Sequence, residues 1–185
     1  MFASAGPKLM IDLGCGPGTA GLALGDCLES PRLSYLGIDR ARPMLLRAKS
    51  MLQAAIESSI LGPKSQIDTT TSWPKLLERA PSLTKPANVL VNATYLFASS
   101  SLNVDDVCNV VKALKKNSTV KRLLFTYSNS TIPIAGTKYD SFKRKLKNEF
   151  ESDGPTECTV TFCKRWSGGT MVEAKYVRDL LVFKE

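Results

Sequence analysis

The chain contains no histidine, and that single absence removes several kinds of chemistry. Ser-His-Asp and Cys-His nucleophilic catalysis both need an imidazole base, so neither is available. A general base, where one is needed, must be a carboxylate, lysine, tyrosine or cysteine. Cys15, Cys27, Cys108, Cys158 and Cys163 are scattered without a C-x-x-C pair. That pattern offers neither a zinc site nor a disulfide framework, and it fits reduced thiols in the cytoplasm. No metal is expected. No apolar run approaches the roughly 20 residues that span a bilayer, so no membrane association is expected either. The opening MFASAGPKLM has no basic region followed by an apolar segment, and no secretory signal is read there. Acid is in short supply: 17 Asp and Glu face 25 Lys and Arg, for a net charge of +8. Such an excess points to a polyanionic partner or to a solvated basic surface.

Strand-like and helix-like stretches alternate along the chain. Leu9–Cys15, Leu33–Asp39, Gln66–Ser72, Asn88–Phe97 and Val120–Ser128 read as strands, the third being rich in threonine but weakly apolar. Ala20–Leu28, Pro43–Ile60, Val104–Lys116 and Lys138–Glu151 read as helices. Pro43 suits a first helical turn, and Asn103 or Ser101 suits a cap. The last of these helices places Tyr139, Phe142, Leu146 and Phe150 toward a core. The tail reads as two strands, Glu157–Trp166 and Lys175–Phe183, around a turn at Ser167–Thr170. The expected fold is α/β: a Rossmann-like three-layer sandwich with a mostly parallel seven-stranded sheet and an antiparallel C-terminal hairpin strand. No linker or repeat divides residues 1–185, which read as one domain.

The chemistry concentrates in Asp12-Leu13-Gly14-Cys15-Gly16-Pro17-Gly18, at the exit of the first strand. Glycines there let backbone N–H groups approach a ligand, and the helix N-terminus behind them favours electron-rich oxygens. Asp39 closes the second strand, where an acid can accept from the two hydroxyls of a ribose. Gly16-Pro-Gly18-Thr-Ala-Gly21 also satisfies the dinucleotide pattern G-x-G-x-x-G. That pattern leaves Asp12 and Gly14 unexplained, and the antiparallel tail weighs against it.

Asp12-x-Gly14-x-Gly16-x-Gly18 with Asp39 resembles the cofactor-binding signature of class I S-adenosylmethionine (SAM)-dependent methyltransferases. Tyr35–Lys49 is similar to that family's second strand and helix. The resemblance implies SAM as cofactor, with Asp12, Gly14, Cys15, Gly16, Gly18, Asp39, Arg40, Asp68 and Asn92 around it. Asp68, taken to follow the third strand, would meet the adenine; Asn92 would lie near the sulfonium. Family members usually carry helical material before the first strand, and only about eight residues precede it here. The resemblance therefore implies a domain without its N-terminal lid, or a partner subunit that supplies one.

For the acceptor, methyltransferases of exocyclic amino groups often carry Asn or Asp, two prolines and an aromatic at Asn92-Ala93-Thr94-Tyr95. Asn92 and Tyr95 match as candidate catalytic residues, while Ala93 and Thr94 depart. Packing is the simpler reading of Tyr95, and stacking on a flat acceptor the functional one. Lys138, Lys143, Arg144, Lys145 and Lys147 form a basic helix face that would attract nucleic-acid phosphates, or merely be solvated. Methyl transfer to an acceptor, with RNA favoured over a small molecule or a protein, a non-catalytic interaction module, and a nicotinamide-dependent oxidoreductase are the functions carried forward.

Overall fold

The computed structural model describes residues 8–28, 32–82, 87–131, 133–147, 149–164 and 170–184. Strand β1 (Lys8–Leu13) is buried along its whole length, as a central strand covered on both faces must be. It pairs in parallel with β2 (Ser34–Ile38) on one side and β4 (Ala87–Thr94) on the other. β3 (Gln66–Thr70) extends the sheet beyond β2, and β5 (Val120–Ser130) lies beyond β4. Next comes β8 (Thr170–Phe183), antiparallel to β5. The two-residue β6 (Phe150–Glu151) and β7 (Thr156–Lys164) both pair with the far side of β8. The sheet therefore has seven strand positions, all parallel up to the reversed β8. The expected Rossmann-like, mostly parallel seven-stranded architecture is what the chain adopts.

Alternation along the strands builds two cores. Met10 and Tyr35 face helices α1 (Thr19–Asp26) and α2 (Arg42–Glu57). Leu9, Ile11, Val89, Val91 and Phe125 face α3 (Trp73–Ser82), α4 (Val104–Lys115) and α5 (Pro133–Leu146). Asn103 caps α4 by accepting from the Asp105 N–H at 3.0 Å, and the acids of its first turn oppose the lysines of its last.

Three expectations need correction. No element was read between Ser72 and Asn88, yet α3 forms there: Ser72 precedes it and Pro74 sits in its first turn, where a missing N–H is harmless. α5 begins at Pro133 rather than Lys138 and stops at Leu146, with Lys147 in the left-handed region at φ 47°. Phe150 consequently lies in β6, packed edge-on to Phe183 with ring centroids 6.0 Å apart, and not on the helix. The turn read at Ser167–Thr170 lies outside the described residues except for Thr170, which begins β8. No helix among the described residues is long and apolar enough to cross a membrane.

Candidate functional site

The glycine turn is set by three left-handed residues. Gly14, Gly16 and Gly18 have φ of 71°, 51° and 81°, values that cost an L side chain about 1–2 kcal/mol. Both the Gly14 and Cys15 N–H groups donate to the Ile38 carbonyl, at 2.8 and 3.0 Å, which ties the turn to the end of β2. Asp39 completes the tie from its side chain: Oδ2 accepts from the Gly16 N–H at 3.0 Å and Oδ1 from the Ala41 N–H at 2.8 Å. A Cβ on Gly18 would sit 3.1 Å from the Ala48 Cβ, so that glycine serves helix packing, whereas one on Gly16 would meet nothing within 4 Å. Cys15 is buried against Gly37, and burial with the nearby Asp12 charge pushes its thiol up to about 12.

Beneath the turn lies a buried polar chain that sequence alone did not show. Asp12 accepts from the Tyr35 hydroxyl and from Asn92 Nδ2, each at 2.8 Å. Asn92 Oδ1 in turn accepts from the hydroxyls of Thr94 and Thr126, both at 3.1 Å. Burial raises the Asp12 carboxyl above its ordinary value, against the two donors that lower it. Asn92 thus spends its side chain on Asp12 and two threonines. Tyr35 and Thr126 were not picked out from the sequence because each reads there as an ordinary strand residue.

A cavity of about 320 Å³ opens at the C-terminal ends of β1, β2 and β4. Gly14, Asp39, Arg40, Thr71, Trp73 and Tyr95 are among its walls. Tyr95 is 58% exposed and left-handed at φ 58°, its N–H bonded to the Ser128 carbonyl at 2.8 Å. Packing therefore does not account for it: the ring stands at the cavity mouth. Arg40 donates to Ser101 Oγ at 2.7 Å, joining the β2 end to the loop that follows the 3₁₀ turn at Leu96–Ala98. That loop is pinned from behind by Lys138, whose Nζ reaches the carbonyls of Ser99, Ser100 and Leu102 at 2.5, 3.1 and 3.3 Å.

The chain matches no protein-family model and no curated protein sequence. Its three-dimensional likenesses are clear nonetheless. The precorrin-6y C5,15-methyltransferase of Geobacter metallireducens superposes with a TM-score of 0.63 at 11% identity, over 99% of this chain and 83% of that one. The precorrin 8w decarboxylase of Methanobacterium thermoautotrophicum gives 0.61 at 18%, covering 99% and 86%. A SAM-dependent methyltransferase from Anabaena variabilis gives 0.56 at 12%, covering 96% and 77%. The fold is that of the class I methyltransferases.

Within this methyltransferase fold, two sets of sequence-picked residues fall away from the cavity. Asp68 lies in the middle of β3, not after it, and Arg79 Nη1 holds both its carboxylate oxygens at 2.9 and 2.8 Å. The third-strand side of the cavity is walled instead by Thr71 and Trp73. Of the basic residues on α5, Lys138 is committed to the loop carbonyls. Lys143 lies 3.6 Å from buried Asp179 and over the Tyr139 ring, and Lys145 is 2.7 Å from Asp105. Burial together with the Asp179 charge raises the Tyr139 phenol, which donates to Asp179 at 3.0 Å.

Proposed function

We propose that the chain is a SAM-dependent methyltransferase whose acceptor is a nucleophile needing no strong base, with RNA as the favoured class. The observation that carries this reading is the turn of three left-handed glycines opening on a cavity walled by Asp39 and Tyr95, in a class I methyltransferase fold. The residues fit the group. Open space above Gly16 leaves room for the methionine portion of SAM against the backbone, and Asp39 retains lone pairs for ribose hydroxyls. Thr71, Trp73 and Leu96 supply the partly apolar wall that an adenine needs. When bound, SAM supplies a sulfonium-activated methyl group for direct displacement.

The chain's own task is alignment and exclusion of water. Tyr95, exposed at the mouth, offers a flat face on which a planar acceptor can stack. Asn92 acts here as a positioning residue: it holds Asp12 beneath the turn and does not itself line the cavity. The ionisable groups among the cavity walls are Asp39, Arg40 and Tyr95, and Asp39 is already bonded to two backbone N–H groups. An amine or ring nitrogen, which loses its proton easily once alkylated, suits such a site. The committed amide of Asn92 also supports a second reading, a module that binds SAM without turning it over.

Calorimetric titration with SAM and S-adenosylhomocysteine tests the proposal. Wild type should bind, and Asp39→Ala should weaken binding about ten- to a hundredfold, the equivalent of about 1.5–3 kcal/mol for hydrogen bonds to a charged group. Absence of binding to folded wild type would remove the cofactor assignment. Binding without methyl transfer to any RNA, protein or metabolite pool would favour the second reading.

A further inference from the structure

A second cavity, of about 450 Å³, lies between α2, the end of β3 and α3. Arg42 and Lys49 reach it from α2, Lys75 and Arg79 from α3, and Thr69 and Thr71 from the strand end; no acidic residue lines it among the described residues. Arg42, Lys49 and Lys75 are exposed, and their charged side chains make no ion pair or hydrogen bond with the described residues. Arg79 already holds Asp68. Four cations therefore line the cleft, and only Arg79 among them is paired, with Asp68 outside the lining.

Other basic clusters differ from this one. On α5, Lys138, Lys143 and Lys145 are each engaged by carbonyls or carboxylates of the same chain. A cleft holding Lys121, Arg122 and Lys184 sits at the N-terminal end of β5, the opposite end of the parallel strands from the glycine turn. The α2–α3 cleft instead adjoins the proposed cofactor cavity, with Thr71 in the wall of both. A chain of phosphates lying across it is thereby led toward the cavity that ends at Tyr95.

We infer that the cleft between α2 and α3, lined by Arg42, Lys49 and Lys75, binds the phosphodiester backbone of a nucleic-acid acceptor. The inference rests on the proposed methyl transfer only in calling that nucleic acid the acceptor; the binding itself is independent of it. Uncommitted cations attract phosphates without sequence preference and release counterions as they do so, which makes the interaction steeply salt-dependent. Cations already paired within the fold have less to gain from the exchange.

The test is fluorescence anisotropy with a labelled 20-nucleotide oligouridylate, titrated from low to physiological salt. The variant Arg42→Gln/Lys49→Gln/Lys75→Gln is compared with Lys115→Gln/Lys143→Gln/Lys145→Gln, which loses the same net charge from cations already paired on α4 and α5. The cleft variant should bind about 10- to 100-fold more weakly, with the log–log salt slope shallower by about 2, since each lost contact to a single strand is worth about 0.7. The paired-cation variant should change less than about threefold. Equal losses in both variants would reduce the effect to net charge and overturn the proposal. So would an unchanged cleft variant, a wild type that does not bind the probe at low salt, or equal competition by polyglutamate. Titrating S-adenosylhomocysteine into the same proteins separates the two readings. Retained cofactor binding with no RNA effect sinks only the cleft, and RNA binding without cofactor binding sinks only the methyltransferase.

Discussion

Gly16 and Gly18 share a left-handed backbone but differ in what surrounds them. Gly18→Ala adds a Cβ within 3.3 Å of the Ala48 backbone, so strain and overpacking together should cost about 2–4 kcal/mol in chemical denaturation. Gly16→Ala meets open space and should cost only about 1–2 kcal/mol. Its methyl group nevertheless occupies the space proposed for SAM, so calorimetry should show the larger loss of affinity for Gly16→Ala. Equal affinity losses would place the cofactor elsewhere. Asp12 makes a different prediction, in pH. Its folded carboxyl is raised, so below the unfolded value of about 4 both states are protonated and it contributes nothing. As pH rises toward the folded value, the unfolded chain ionises first, and stability falls. Asp12→Asn should remove that fall, seen as a flatter difference between stabilities at pH 4 and pH 7. Its amide oxygen can still accept from Asn92, but its NH2 then faces the Tyr35 hydroxyl, which must accept rather than donate.

At the scale of elements, the cavity depends on the loop between the 3₁₀ turn and α4 being held in place. Arg40 holds it from the front and Lys138 from behind. Lys138→Met keeps the aliphatic stem and removes the ammonium from three carbonyls. Hydrogen exchange at residues 100–103 should speed up, and affinity for S-adenosylhomocysteine should fall about five- to tenfold, the equivalent of about 1–1.4 kcal/mol. Unchanged exchange would mean that the Arg40–Ser101 bond suffices. Lys138 could be seen as basic in the sequence, but its three acceptors lie about 40 positions away, so only the packing of α5 against the loop shows what its charge does.

For the whole molecule, Phe97 joins the site to the larger core. It is fully buried and packs edge-on to Phe125, Tyr127 and Tyr139, with ring centroids 5.4–6.4 Å away. The 3₁₀ turn that carries it also carries the wall residue Leu96. Phe97→Ala should cost about 3–5 kcal/mol, and urea titration should show the midpoint falling sharply. A loss below about 1 kcal/mol would mean that the aromatic cluster closes over the gap.

Local chemistry was enough to reveal the glycine turn, the acid after β2, a cap for α4 at Asn103 or Ser101, which the structure settles as Asn103, and the reversed final strand. Each depends on neighbours in sequence: a run of apolar residues, a turn that only glycine makes cheaply, an asparagine two positions before the N–H it caps. Tyr95 was seen, but whether its ring faced the core or solvent depended on a left-handed backbone that no local pattern announces. Helix α3 escaped notice because two prolines and few apolar residues hide a segment held mainly by tertiary burial of Leu76. Asp68 and the α5 lysines were visible as charges, but their roles were decided by partners such as Arg79, Asp105 and Asp179, which the fold brings near. An apolar period survives translation from sequence to structure because it is local. Whether a charge is spent inside the fold or left for a ligand depends on long-range geometry, and only the tertiary structure settles it.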